Sequence, residues 1–198
     1  KDLRGFGLLA DVVGSGKTYT VVSAAMKLRQ YGLATKPMIV VPNHLVEQWA
    51  DSYRTLCPGA NILVTHKEDL AKENRKRFVA KVALGDWDSI IISQSMFSKI
   101  PISKERQIRK INEEIYKIDQ TIAHLWENSE RPQGAVKNLE RIKKNRKKLL
   151  EKLMDDSKKD DLLIFEKLGV DYLFVDEAHA YKNLALFTKM NNVSGISK

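Results

Sequence analysis

Five short apolar runs, each bounded by glycine, proline, aspartate or asparagine, govern what this chain can fold into. They are Phe6–Ala10 (FGLLA), Met38–Val41 (MIVV), Asn61–Val64 (NILV), Ser89–Ser93 (SIIIS) and Tyr172–Val175 (YLFV). Nearly continuous apolar runs of this length suit strands buried on both faces of a parallel sheet. Between them lie segments of helical pattern: Lys17–Tyr31, ended by Gly32; His44–Leu56, ended by Pro58-Gly59; and Glu68–Leu84, ended by Gly85. Strand and helix in alternation predict an α/β fold, a parallel sheet flanked by helices.

The alternation breaks between Ile100 and Asp161. Ile108, Ile111, Ile115, Ile118, Ile122 and Leu125 follow one another at steps of three and four, the spacing of a heptad seam. Beyond Pro132 and Gly134 a second series follows, Val136, Leu139, Ile142, Leu149 and Leu153, with Arg146 interrupting it. The pattern predicts two helices of about five and four turns, folded back as an antiparallel, coiled-coil-like hairpin. Residues 1–99 and 161–198 then form the α/β body, and 100–160 an insertion. The second helix is strongly basic, with Lys137, Arg141, Lys143, Lys144, Arg146, Lys147, Lys148 and Lys152 set against Glu140 and Glu151. Such a face is either a solvated exterior or an arm that contacts phosphates.

Charge and composition narrow the class. The chain carries a formal net charge of +9, which favours polyanionic partners. No apolar run approaches the ~20 residues of a membrane helix, so no membrane partner is expected. Lys1–Thr20 lacks the uninterrupted apolar segment of a signal peptide, and Cys57 is the only cysteine. Both fit a reducing cytoplasm. The chain opens without Met a few residues before a motif, as a piece of a longer protein does.

Chemistry concentrates at two places. Gly14-Ser15-Gly16-Lys17-Thr18 follows an apolar run and opens a helical segment, the context of a phosphate-binding loop. Glycines there let backbone N–H groups turn toward phosphate oxygens, and a helix N-terminus adds positive partial charge. Lys17 is placed to reach the β- and γ-phosphates of ATP, and the Thr18 hydroxyl to ligate Mg²⁺. Asp11 stands where the general loop pattern has glycine. At the far end of the chain, Asp176-Glu177 follows the run Tyr172–Val175. A carboxylate pair at a strand's carboxyl end suits Mg²⁺ held by Asp176, and an attacking water oriented by Glu177.

The segment Ala10–Thr18 (ADVVGSGKT) resembles motif I of superfamily 2 helicases, in particular the Swi/Snf-type DNA translocases, in which aspartate takes the place of the first glycine. Asp176-Glu177-Ala178-His179 resembles their DEAH box, and Lys182-Asn183 extends the likeness. The resemblance implies a RecA-like P-loop lobe, with His179 linking the nucleotide site to the rest of the motor. Ile39–Trp49 (IVVPNHLVEQW) is similar to motif Ia, which makes Asn43 and His44 candidates for a backbone phosphate, with Asn43 also able to cap the following helix. Trp49 reads as core. Asp88–Phe97 (DSIIISQSMF) is similar to motif Ib, with Ser93, Gln94 and Ser95 as candidate contacts to the tracking strand. Contacts of this kind carry no base information, so binding to duplex DNA is expected to be independent of sequence.

The glutamine motif that reads adenine, the segment after the DEAH box and the second lobe with its arginine finger have no counterpart in the chain; Val193-Ser194-Gly195 is a poor substitute for the segment. The resemblance therefore implies that the second RecA-like lobe belongs to the same parent protein. It also implies that this piece binds ATP but hydrolyses it poorly alone, and that the parent moves along duplex without separating strands. The insertion is similar to those of helicase-like proteins of bacteriophages and bacterial mobile elements, some of which carry a DNA methyltransferase region. Two other classes stay open on the residues alone: a P-loop kinase or metabolic NTPase, and a non-catalytic module that docks DNA or a partner.

Overall fold

The computed structural model describes residues 7–12, 14–71, 73–128, 133–155 and 164–181. Four strands, β1 (Pro37–Val41), β2 (Ile62–Val64), β3 (Ser89–Ser93) and β4 (Tyr172–Val175), form one parallel sheet in the order β2-β3-β1-β4. The helices are α1 (Lys17–Gln30), α2 (Val46–Leu56), α3 (Arg75–Leu84), the single turn α4 (Gln94–Phe97), α5 (Lys104–Asn128) and α6 (Gln133–Asp155). Two compact units result: Lys1–Ile100 with Phe165–Glu177, and Pro101–Ile164 with Ala178–Lys198. No helix among the described residues is long and apolar enough to cross a membrane.

The path of the chain fixes which face each helix covers. From β1 it crosses β3 to reach β2 by way of α2, then steps back to β3 by way of α3. Right-handed crossovers in opposite directions put α2 and α3 on opposite faces. On the first face Val22 of α1 and Val46, Trp49, Ala50 and Tyr53 of α2 bury Ile39, Val41 and Ile91. Met38, Val40, Ile90 and Ile92 alternate with these along β1 and β3 and point the other way, equally buried. Every residue of β1 and β3 is buried, as continuous apolar runs require.

One expected strand does not form. Gly7–Ala10 pairs with nothing among the described residues, and Leu8 is 84% exposed; Phe6 lies outside the described residues. A two- or three-side-chain apolar run becomes a strand only where a neighbour supplies its ladder, and the described sheet ends at β4. Two helices begin later than the pattern predicts. Asn43–Leu45 is a 3-10 turn ahead of α2, and Lys67–Leu70 is a separate 3-10 turn whose His66 N–H donates to Asp69 Oδ2 at 2.8 Å. That local box closes the turn before α3 starts.

The second unit holds an antiparallel helical pair longer than the apolar seam indicates, 25 and 23 residues. Polar residues carry each helix past the ends of the seam. Ile118, Leu125, Val136 and Leu139 form its core. The contacts Lys104–Met154, Glu114–Arg146 and Asp119–Lys143 descend one helix as they climb the other, which fixes the antiparallel sense. Arg146, the interruption in the apolar series, reaches Glu114 Oε2 with its Nε at 3.0 Å.

Candidate functional site

The carboxyl ends of parallel strands are where α/β folds bind ligands, and local geometry brings the predicted loop there. At its C-terminal end, α1 is tied to the opposite, amino edge: Arg29 pairs with Asp86 and with Asp88, which precedes β3, and donates to the Thr35 carbonyl just before β1. The chain then turns at Gly32, whose φ of +66° a glycine accepts without strain, and enters β1. Thus α1 runs antiparallel to β1 for ~21 Å, and its N-terminus stands at the carboxyl edge. Asp176 stands at the same edge, its N–H donating to the Val40 carbonyl at 2.8 Å.

The loop has the form an anion cradle needs. Gly14 and Gly16 adopt φ of +84° and +85°, and a Cβ on either would meet nothing within 4 Å, so the loop is open beside both. Gly16 caps α1 with no side-chain bond, and the first turn of α1 contains no acid. Its first N–H groups therefore lack intrahelical acceptors and carry the positive end of the helix dipole. Lys17 Nζ donates to the carbonyls of Asp11 and Val12 at 3.1 and 3.0 Å. It is the main-chain oxygen of Asp11, not its carboxylate, that meets the lysine, so a side chain at position 11 leaves the cradle intact. Thr18 sits half-buried in the first turn. These residues fit a nucleoside triphosphate with its magnesium ion, with the loop amides and Lys17 for phosphate, and Thr18 and Asp176 as metal ligands.

At β4's end the backbone is strained. Glu177 has φ of +50°, the only non-glycine residue with positive φ among those described, and its N–H donates to Asp176 Oδ1 at 3.0 Å. A non-glycine residue held there costs about 1–3 kcal/mol, the kind of strain that gathers at functional sites. Here it turns the Glu177 side chain away from the course of the strand and leaves it exposed, while Asp176 is half-buried. His179 is exposed in the 3-10 turn Ala178–Tyr181 and falls in the second compact unit. Lys182, Asn183 and Val193–Gly195 lie outside the described residues.

Four of the five candidate nucleic-acid residues, Asn43, Ser93, Gln94 and Ser95, are bonded along this edge. Asn43 does not cap α2; its Oδ1 accepts from the Ser95 N–H at 3.2 Å. Ser93 is 5% exposed, and its hydroxyl caps α4 by accepting from the Met96 N–H. A strand-end hydroxyl followed by a new helical turn is used as a cap. Gln94 is committed as well: its Nε2 donates to the Asp176 carbonyl at 2.9 Å, crossing the end of β1 from β3 to β4. His44 is exposed and Ser95 half-buried. Nothing in the sequence signals the Gln94–Asp176 bond, because 82 residues separate the pair and only the strand order unites them.

A parallel sheet with flanking helices, a glycine loop on α1 and a carboxylate pair at a strand end has the make-up of a RecA-like α/β lobe. Residues 3–198 match the family described as "Probable helicase domain", and the chain belongs to that family. It is similar to the ISWI chromatin-remodeling complex ATPase ISW1 of Saccharomyces cerevisiae, at 31% identity over 126 residues, 63% of this chain and 10% of that protein. It is similar also to the ATP-dependent helicase fft1 of Schizosaccharomyces pombe, at 32% identity over 46% of this chain and 9% of that protein. A third relative is the Caenorhabditis elegans SWI/SNF-related regulator of chromatin containing DEAD/H box 1, at 33% identity over 39% of this chain and 8% of that protein. The chain thus spans about a tenth of the length of the curated relatives it matches. No solved structure matches it.

Proposed function

We propose that this chain is the ATP-binding lobe of a DNA-dependent ATPase of the Swi/Snf-like type, which couples ATP hydrolysis to movement along duplex DNA. What carries the reading is the placement of two motifs at the same sheet edge: the glycine loop on α1's N-terminus, and Asp176-Glu177 at the end of β4. The relatives' names, an ISWI remodeling ATPase and an ATP-dependent helicase, support ATP and DNA as its ligands.

The amides of Gly14–Thr18 and the Lys17 ammonium hold the triphosphate, with Lys17 leaving the carbonyls of Asp11 and Val12 for phosphate oxygens. A magnesium ion, when bound, draws charge from the β- and γ-phosphates. Thr18 and Asp176 would hold that ion. Glu177 orients the attacking water and takes its proton. His179 relays the state of the site toward the rest of the motor. An arginine from a second lobe would supply about 10³–10⁵ in turnover, so this lobe alone should bind ATP and hydrolyse it slowly. His44, Asn43 and Ser95 are the candidates for the DNA backbone.

Titration of the chain with a fluorescent ATP analogue and Mg²⁺ tests the reading. Lys17→Ala should weaken binding by about 10- to 150-fold, the loss of a charge-assisted bond of about 1.5–3 kcal/mol, with the helical circular dichroism unchanged. Equal affinity of the two chains would sink it.

A further inference from the structure

The basic residues of α6 are sorted, not scattered. At about 100° per residue, Lys137, Arg141, Lys144, Lys148 and Lys152 fall within an arc of about 80°, directly opposite the side that carries Leu139, Ile142, Arg146 and Leu153. All five are exposed, and none forms an ion pair among the described residues. The two cations nearest the helix interface behave differently. Lys143 is paired with Asp119 at 2.5 Å and Arg146 with Glu114 at 3.0 Å. Helix α5 balances its charges, five basic against five acidic residues, whereas α6 carries eight basic and three acidic ones. Glu140 and Glu151 border the arc and Asp155 falls within it at the last residue of the helix, so the face is predominantly rather than wholly basic.

We infer that this outer face of α6 is a docking surface for the sugar–phosphate backbone of duplex DNA, additional to the loops at the sheet edge. The inference rests on the reading that the chain works on DNA. Five cations along ~22 Å of straight helix face a duplex that presents about one phosphate per 1.7 Å of axis. Lysines dominate the stripe, and side chains of this type grip phosphate as point charges without reading bases. A membrane surface does not fit, because the apolar side of α6 is buried against α5 and the stripe contains no apolar side chain to enter a bilayer.

The test compares three forms of the whole chain by fluorescence anisotropy on a labelled mixed-sequence duplex across a salt series. One is unaltered. The second carries K137Q, R141Q, K144Q, K148Q and K152Q, exposed changes between good helix formers. The third removes the same charge from five exposed cations elsewhere: K67Q, K76Q, R77Q, K81Q and K99Q. Each phosphate contact contributes about 0.9 to the slope of log K against log salt. The stripe variant should therefore lose about 3 to 4.5 from that slope, and the third form should keep its slope to within about 1. Equal losses in both variants would assign the effect to net charge and overturn the inference, and so would no loss in the stripe variant. Either result leaves DNA binding itself standing. An unaltered chain that ignores duplex DNA would remove the underlying reading as well. Preferential displacement of the probe by duplex RNA of the same length would overturn the choice of DNA.

Discussion

At the amino edge of the sheet, side chains lace one strand to the next. Asp171 accepts from the Thr35 N–H and hydroxyl at 2.5 and 2.7 Å and from the Lys36 N–H at 2.9 Å, joining the approach of β4 to that of β1. Arg29 joins α1 to Asp86 and Asp88, and Asp88 in turn accepts from the Asn61 N–H at 2.8 Å. At the carboxyl edge the bonds run between loops and the geometry is less comfortable at one point: Glu177 at φ +50°, the non-glycine residue with positive φ among those described, near a lysine satisfied by its own loop. Both edges terminate the same strands, so the contrast is one of task. One end holds the fold together; the other carries the groups proposed to bind the nucleotide, with strain at Glu177. Substitutions should therefore separate, with those at one end changing stability and those at the other changing binding and turnover.

The sharpest break should come at Glu177. In a protein that joins this chain to a second lobe, Glu177→Gln should lower ATP turnover by about 10²–10⁴-fold, the range of a positioned proton acceptor. Binding of Mg-ATP should persist within about threefold, and the thermal midpoint should not fall. A variant that unfolds more readily, with turnover intact, would place Glu177 on the structural side of the divide.

Asp171→Ala should do the reverse. It leaves two backbone N–H groups and a hydroxyl without their acceptor, a loss of about 1–3 kcal/mol in urea unfolding, with affinity for the ATP analogue unchanged. Acid should erase the difference. Burial pushes the Asp171 carboxyl up, but the bonds from Thr35 and Lys36 outweigh it and hold the group below its ordinary value. Its contribution is therefore complete above the unfolded value of about 4 and disappears as pH falls through the lower folded one. A gap between the two chains that survives at pH 2 would show that the carboxylate's charge is not what counts.

How much of this contrast could be read from the residues depends on the range of the interaction. Strands β1 and β3 declare themselves because every side chain of MIVV and SIIIS is apolar or small, and Trp49 reads as core because its helix shows one apolar side. The glycine loop is legible because its conformation is local: Gly14 and Gly16 are needed at their own φ. FGLLA misleads for the same reason in reverse, since a strand depends on a neighbour that the run itself does not specify. The bonds of Ser93 and Asn43 are not legible, because hydroxyl and amide groups serve caps, cross-loop bonds and ligands alike; their partners, Met96 and Ser95, are brought to them by the fold. Asp171 and Arg29 belong to no motif, and their partners come from segments up to 136 residues away.

Gln94 gives the smallest expected effect and the finest test of the divide, because it joins the two loops of the working edge without belonging to either the cradle or the acid pair. Its amide holds the carbonyl of Asp176 from two strands away, a span of about 9.6 Å across the sheet. Removing that bond in Gln94→Ala costs about 0.5–1.5 kcal/mol. If the bond only braces the edge, the loss appears in unfolding and nucleotide affinity is unmoved. If it positions Asp176, the loss appears selectively in binding that depends on the metal: affinity for the ATP analogue should fall about 2- to 12-fold with Mg²⁺ and stay level with EDTA. The second outcome is expected, because Asp176 is anchored by its backbone, through its own N–H to Val40 and its carbonyl to Gln94. Its carboxylate is thereby left for the Glu177 N–H and, on the proposed reading, for the ion. An equal fall in both conditions would assign Gln94 to the bracing class and move the boundary between the two regions one residue further into the carboxyl edge.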